Sequence, residues 1–132
     1  MICILSLRDN TMLKIAFPSS IQGLHAELTK HFGHTPAFTI ITYNPEKEQV
    51  ESVEIIQNAP HQQGECMSQV LMLKNLNVTD IVVLRIGNKV KAGLLQANIR
   101  LYLGTFGTVK ENFNAFKDGN LQLLFEPVGG YL

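Results

Sequence analysis

The chain has 132 residues, 45% of them hydrophobic and 17% charged, and its eleven Lys/Arg balance eleven Asp/Glu. This composition excludes a disordered chain, and zero net charge argues against non-specific nucleic-acid binding, which needs an excess of phosphate-neutralising Lys/Arg. The length suits one domain: area scaling gives roughly 7,000 Å² of folded surface against about 21,000 Å² unfolded, enough burial for a core without disulfides or structural metal.

Two cysteines, Cys3 and Cys66, make no disulfide framework, and a reducing cytoplasm is the expected setting. No apolar run approaches the roughly 20 residues that span a bilayer. The apolar stretch Met1 to Leu7 lacks the basic region of a signal peptide. Residues 1–11 are therefore read as an appendage, with Met12 a candidate natural start, and residues 12–132 as a single domain.

Along the chain, Leu13 to Phe17 reads as a buried strand ending at Pro18. The loop from Ser19 to His34 carries three histidines, and Leu24 to Leu28 can form one or two helical turns. Ala37 to Tyr43 is a second strand, Asn44-Pro45-Glu46 a turn, and Val50 to Ile56 an alternating third strand, so the two form an antiparallel hairpin. After a loop containing His61 and Gly64, a helix runs from about Glu65 to Asn75. Its expected apolar stripe is Met67, Val70, Leu71 and Lys74, with Cys66 and Leu73 beside it. Asp80 to Leu84 is a short apolar strand. Asn88 is the expected cap of a second helix, Lys89 to Gln96. Ile99 to Leu103 is a fifth strand. Thr108-Val109-Lys110-Glu111 has the form of a capping box opening a third helix, which Gly119 is placed to end. The tail from Phe125 to Leu132 is left as a segment that packs or frays.

The order β-β-β-α-β-α-β-α predicts an α/β fold: a mixed five-stranded sheet with right-handed crossovers and helices on both faces. Ligands of open α/β sheets bind outside the carboxyl ends of the strands. That edge collects His25, His31 and His34 after the first strand, His61 after the third, and Arg85-Ile86-Gly87-Asn88 after the fourth. The bland reading of each histidine is a polar loop residue. His31-Phe32-Gly33-His34 is the densest piece: two imidazoles three apart can converge on a metal, and Gly33 permits a tight backbone there. A stable zinc site needs three or four ligands, however, and Cys66 reads as a small core residue on a helix.

Catalytic readings fit less well. The strand order is similar to that of ribonuclease H, whose two-metal chemistry needs carboxylates on the first and fourth strands. Leu13 to Phe17 has none, and Asp80 lies at the wrong end of its strand. There is no G-x-S-x-G elbow and no P-loop. Gly104-Thr105-Phe106-Gly107 precedes a helix but has no lysine, and is read as a connection. The charged stretch Lys110 to Asp118 is read as a solvated helix face.

Lys14-Ile15-Ala16-Phe17-Pro18-Ser19, followed by His31-Phe32-Gly33-His34 leading into an apolar strand, resembles the dinitrogenase iron–molybdenum cofactor biosynthesis family. So do His61 and Gly64 before a helix, Gly87 after the fourth strand, Ile99-Arg100-Leu101-Tyr102, Thr108, Phe116, Gly119 and Leu121. The resemblance covers about residues 12–124. It implies a ribonuclease-H-like fold and a non-enzymatic carrier or chaperone that binds iron–molybdenum cofactor or another metal–sulfur cluster, with a cofactor-synthesis or acceptor protein as partner. Carried over by position, His31 and then His34 are the candidate metal contacts. His61, Arg85, Gly33 and Gly87 complete the candidate cofactor-binding set. The sequence departs from the family's glycine-rich turn after the fourth strand, keeping only Gly87, and around His61 only His61 and Gly64 match. The alternative function is a metal-free binding or regulatory module that uses the same edge for a small anionic ligand or a protein partner, through Arg85 and the loop from Gly104 to Gly107.

Overall fold

The computed structural model describes residues 12–57 and 66–125. The appendage (1–11), the His61 loop (58–65) and the tail (126–132) lie outside the described residues. The elements are β1 (Leu13–Ser19), β2 (Ala37–Asn44), β3 (Gln49–Gln57), α1 (Cys66–Asn75), β4 (Asp80–Val83), α2 (Asn88–Gln96), β5 (Arg100–Leu103), α3 (Val109–Lys117) and β6 (Gln122–Phe125), with two 3₁₀ turns, Gly23–His25 and Phe32–His34, between β1 and β2. They form one mixed sheet in the order β3-β2-β1-β4-β5-β6. β1 is antiparallel to β2 and parallel to β4, and β4 is parallel to β5.

Among the described residues the sheet has six strands, not the expected five. β6 pairs antiparallel with β5 through Tyr102 opposite Leu123 and Leu103 opposite Gln122. It is a four-residue edge strand with too little alternation to declare itself, and its pairing partner lies two elements back in the chain. β1 also runs past Pro18 to Ser19. Pro18 is tolerated because its carbonyl accepts from the Thr29 N–H at 2.9 Å. In a strand, N–H and C=O of one residue point the same way, so the missing N–H faces that loop and not β2.

Side-chain alternation on β1 divides the core into two layers. Ala16 joins Phe38, Ile40, Ile81 and Val83 beneath α1 and α2, which contribute Val70, Leu73, Val90 and Leu94. Ile15 and Phe17 join Ile41, Tyr43 and Val82 beneath α3, which contributes Val109 and Phe113. Helices thus cover both faces. The buried stripe of α1 differs from the expected one. Gln69, Val70 and Leu73 are buried, while Leu71 is 58% exposed and Lys74 is solvated. Docking on the sheet selects the 69/70/73 face, and the sequence stripe is rotated from it because it counted Leu71 as inward and the amide of Gln69 as outward.

Helix ends follow capping chemistry. Thr108 and Glu111 form the expected box: Thr108 Oγ1 accepts from Glu111 N–H at 3.1 Å and Glu111 Oε1 accepts from Thr108 N–H at 2.8 Å. Gly119, at φ 76°, ends α3 in the left-handed conformation, donating to Phe116 O, while Asn120 donates to Ala115 O. The cap of α2 is Gly87, with no side-chain bond, and Asn88 is already inside the helix. At the amino end of β4, the buried Asp80 carboxylate pairs with Arg100 on β5, Nε to Oδ2 at 2.9 Å and Nη2 to Oδ1 at 3.2 Å. Burial pushes the Asp80 carboxyl up despite hydrogen bonds from Thr79 and the Arg100 charge. This acid is structural and lies at the end of β4 opposite the candidate edge.

Candidate functional site

Between β1 and β2 the loop crosses the edge of the sheet. Its first half lies on the α3 side: Leu24 and Leu28 pack in that layer, and Ala26 O accepts from Val109 N–H at 2.8 Å. Its second half lies on the α1–α2 side, where Phe32 is buried with Phe38, ring centroids 5.4 Å apart, and the turn packs against α1. The crossing separates the histidines. His25 is exposed on the α3 side and does not share a site with His31 and His34, contrary to the expectation of one four-histidine rim. His61 lies outside the described residues.

The His31-Phe32-Gly33-His34 turn is built by one inward residue. Phe32 is 3% exposed and anchors the turn, which leaves both imidazoles on the surface. Their ring centroids are 6.4 Å apart and nearly perpendicular. His34 N–H donates to His31 O at 3.2 Å. Behind them, the Thr35 hydroxyl is within hydrogen-bond distance of Ser19 O at 3.1 Å and Ala37 O at 2.8 Å, tying the turn to the end of β1 and the start of β2. Gly33 belongs to the 3₁₀ turn and is not among the positive-φ glycines, so the turn does not draw on glycine's conformational freedom.

A cavity of about 380 Å³ opens at this point, outside the carboxyl ends of β1 and β4. His31, Gly33 and His34 line one side and Arg85, Ile86 and Gly87 the other, over a floor of Phe32 and Val90. Five of the six candidate residues thus meet in one place. Arg85 is exposed, so its guanidinium is hydrated and available. A Cβ added at Gly87 would meet nothing within 4 Å. Phe32 and Ile86 were not singled out in the sequence. The signal for Phe32 was a lone aromatic flanked by residues that cannot be buried cheaply. Among the described residues, no three of His, Cys, Asp and Glu converge as a metal cage would require. The chemistry on offer is two exchangeable imidazole ligands and one cation around an open bowl.

The loop after β5 differs. Gly104 is buried, and a Cβ there would come within 2.8 Å of Asn112 Oδ1, Leu28 Cδ1 and Val82 Cγ1. Thr105 N–H donates to Asn112 Oδ1 at 2.9 Å, Thr108 N–H is held by the Glu111 carboxylate, and Asn112 Nδ2 donates to Thr105 O and Thr108 O, each at 3.0 Å. These donors are already used, and a carboxylate sits where an anion would bind. The loop is a connection, which removes one of the two supports for an anion-binding module.

The family described as Dinitrogenase iron-molybdenum cofactor matches residues 12–119, and the chain belongs to it. No curated protein matches the chain. Among solved structures, the apo form of the orange protein from Desulfovibrio gigas superposes with a TM-score of 0.74 at 18% identity, over 89% of this chain and 97% of that one. A candidate NifB protein from Thermotoga gives 0.69 at 26% identity, over 85% and 93%. A candidate dinitrogenase from Methanocaldococcus jannaschii gives 0.68 at 18% identity, over 89% and 99%.

Proposed function

We propose that the protein is a non-enzymatic carrier or chaperone for iron–molybdenum cofactor or a related metal–sulfur cluster, which it treats as cargo. The observation that carries this reading is the single cavity joining His31, His34 and Arg85, in a chain of this family. A preassembled anionic cluster needs little from its carrier. One or two imidazoles fill open metal positions, and a guanidinium offsets negative charge. Gly33 and Gly87 leave the bowl without side chains that would hold a bulky cluster away. The shallow, two-ligand design favours release, whereas a closed four-ligand cage favours retention.

The order β3-β2-β1-β4-β5 supports reading the sheet as ribonuclease-H-like, with β6 as an added edge. Among the described residues no helix is long and apolar enough to cross a membrane; the low cysteine count supports a reducing, cytoplasmic setting. A cofactor-synthesis or acceptor protein is the expected partner. The reading is tested by mixing the full chain with isolated iron–molybdenum cofactor without oxygen, desalting, and measuring molybdenum, iron and visible absorption. Co-elution of both metals with the protein is expected. Metal-free protein at saturating cofactor contradicts the reading.

A further inference from the structure

A second cavity, of about 490 Å³, lies at the opposite end of the sheet, away from the histidines. Tyr43, Tyr102 and Phe116 are among its walls, and Glu48 and Asp118 stand at its border. The Tyr102 and Phe116 rings meet edge-to-face at 5.0 Å. Two features distinguish it from a plain surface dimple. First, its lining carries two carboxylates against one ammonium: among the described residues neither Glu48 nor Asp118 has an ion-pair partner, and Asp118 caps the carboxyl end of α3, the negative end of its dipole. Lys117, which also lines the cavity, points its Nζ over the Phe113 ring at 5.6 Å. Second, Tyr43 is 7% exposed yet contributes to the wall, and its hydroxyl has no hydrogen-bond partner among the described residues. Burial raises its pKa, and the charges of Glu48 and Asp118 raise it further, so both carboxylates lie within electrostatic reach of the phenol.

We propose that this groove is a binding site for an organic cation, a guanidinium or ammonium group, held between the aromatic wall and the carboxylates of Glu48 and Asp118. Aromatic faces attract such cations, carboxylates at the rim supply the counter-charge, and the Tyr43 hydroxyl offers an unpartnered acceptor at the wall. The Lys117–Phe113 contact shows that aromatic rings of α3 already accept a cation. The shared chemistry can come from a free small cation or from an arginine or lysine of a partner protein. The site is independent of the histidine rim, so its failure leaves the cluster-carrier reading untouched.

The test is an NMR titration of the full chain at low ionic strength with agmatine, and separately with N-acetyl-arginine amide. Saturable shifts at the amides around Tyr43, Tyr102 and Gly119 are expected, with none at the His31–His34 turn. Tighter binding of the capped arginine assigns a partner's side chain, and tighter binding of agmatine assigns a free cation. In the Glu48→Gln/Asp118→Asn variant the affinity falls by about tenfold, the sum of two exposed ion pairs. Tyr43→Phe, which removes only the hydroxyl, weakens binding without changing the fold. Shifts that do not saturate, or affinities unchanged in both variants, overturn the proposal.

Discussion

The His31–His34 turn and the Gly104–Gly107 loop leave the same edge of the sheet, after β1 and β5. Both contain glycine, and both precede or flank elements that deliver side chains to that edge. They differ in where their polar groups go. In the first, a buried phenylalanine takes up the inward position and leaves two imidazoles in water, 6.4 Å apart, facing Arg85. In the second, Asn112 and Glu111 reach back and take up the donors of Thr105 and Thr108. A loop's capacity for a ligand is therefore set less by its composition than by how many of its donors the fold has already used.

The comparison is broken most severely by Phe32→Ala. Removing a buried aromatic destabilises by about 3–5 kcal/mol, and here it also withdraws the anchor of the rim. Thermal melting should fall steeply, and cluster retention should be lost even below the melting transition. Asn112→Leu is the matching change in the other loop. It leaves the Thr105 N–H and the Thr105 carbonyl without their partners, while Thr108 O keeps the Asn112 backbone N–H, a loss of about 1–3 kcal/mol. Melting should fall while cluster retention by the folded fraction stays at the wild-type level, since this loop takes no part in the rim.

A smaller change sharpens the contrast. Gly87 caps α2 with extended backbone, φ −81° and ψ 162°, and without a side-chain bond. Gly87→Ser supplies the missing acceptor to the first turn and should stabilise by a few tenths of a kcal/mol, up to about 1. Its side chain enters space that nothing occupies at present, so retention should weaken while melting rises. Opposite signs in the two assays would mark Gly87 as kept for the cargo. The smallest effect is electrostatic. Because burial raises the Asp80 carboxyl, the folded chain holds that proton more tightly than the unfolded chain. Stability from this group is full below the ordinary carboxylate pKa and declines as pH rises through the folded value. Denaturant titrations across mildly acid pH should show this decline in the wild type, and a flatter profile in Asp80→Asn.

Much of this was legible in the chain. The order of elements from β1 to α3, the hairpin, the capping box of α3 and the placement of His31, His34 and Arg85 on one edge follow from local patterns combined with the rule that connections are short and right-handed. What escaped depends on tertiary choice. β6 is an edge strand whose existence depends on β5. The face of α1 was set by docking, which buried Gln69 in place of Leu71. Asn88 resembled a cap, but Gly87 has the cap geometry. His25 was grouped with the other histidines because sequence order cannot show that the chain crosses the edge between Leu28 and Phe32.

The central claim is that two imidazoles on one turn hold the cargo. It is tested most directly by loading wild type and His31→Ala/His34→Ala with isolated iron–molybdenum cofactor, without oxygen, and comparing bound molybdenum and iron after desalting. Both rings are exposed, so the variant should melt within about 0.5 kcal/mol of the wild type. The account predicts that it retains at most about a tenth of the metal, as expected when at least 1.4 kcal/mol of binding is removed. Equal retention by a variant that melts like the wild type would contradict it.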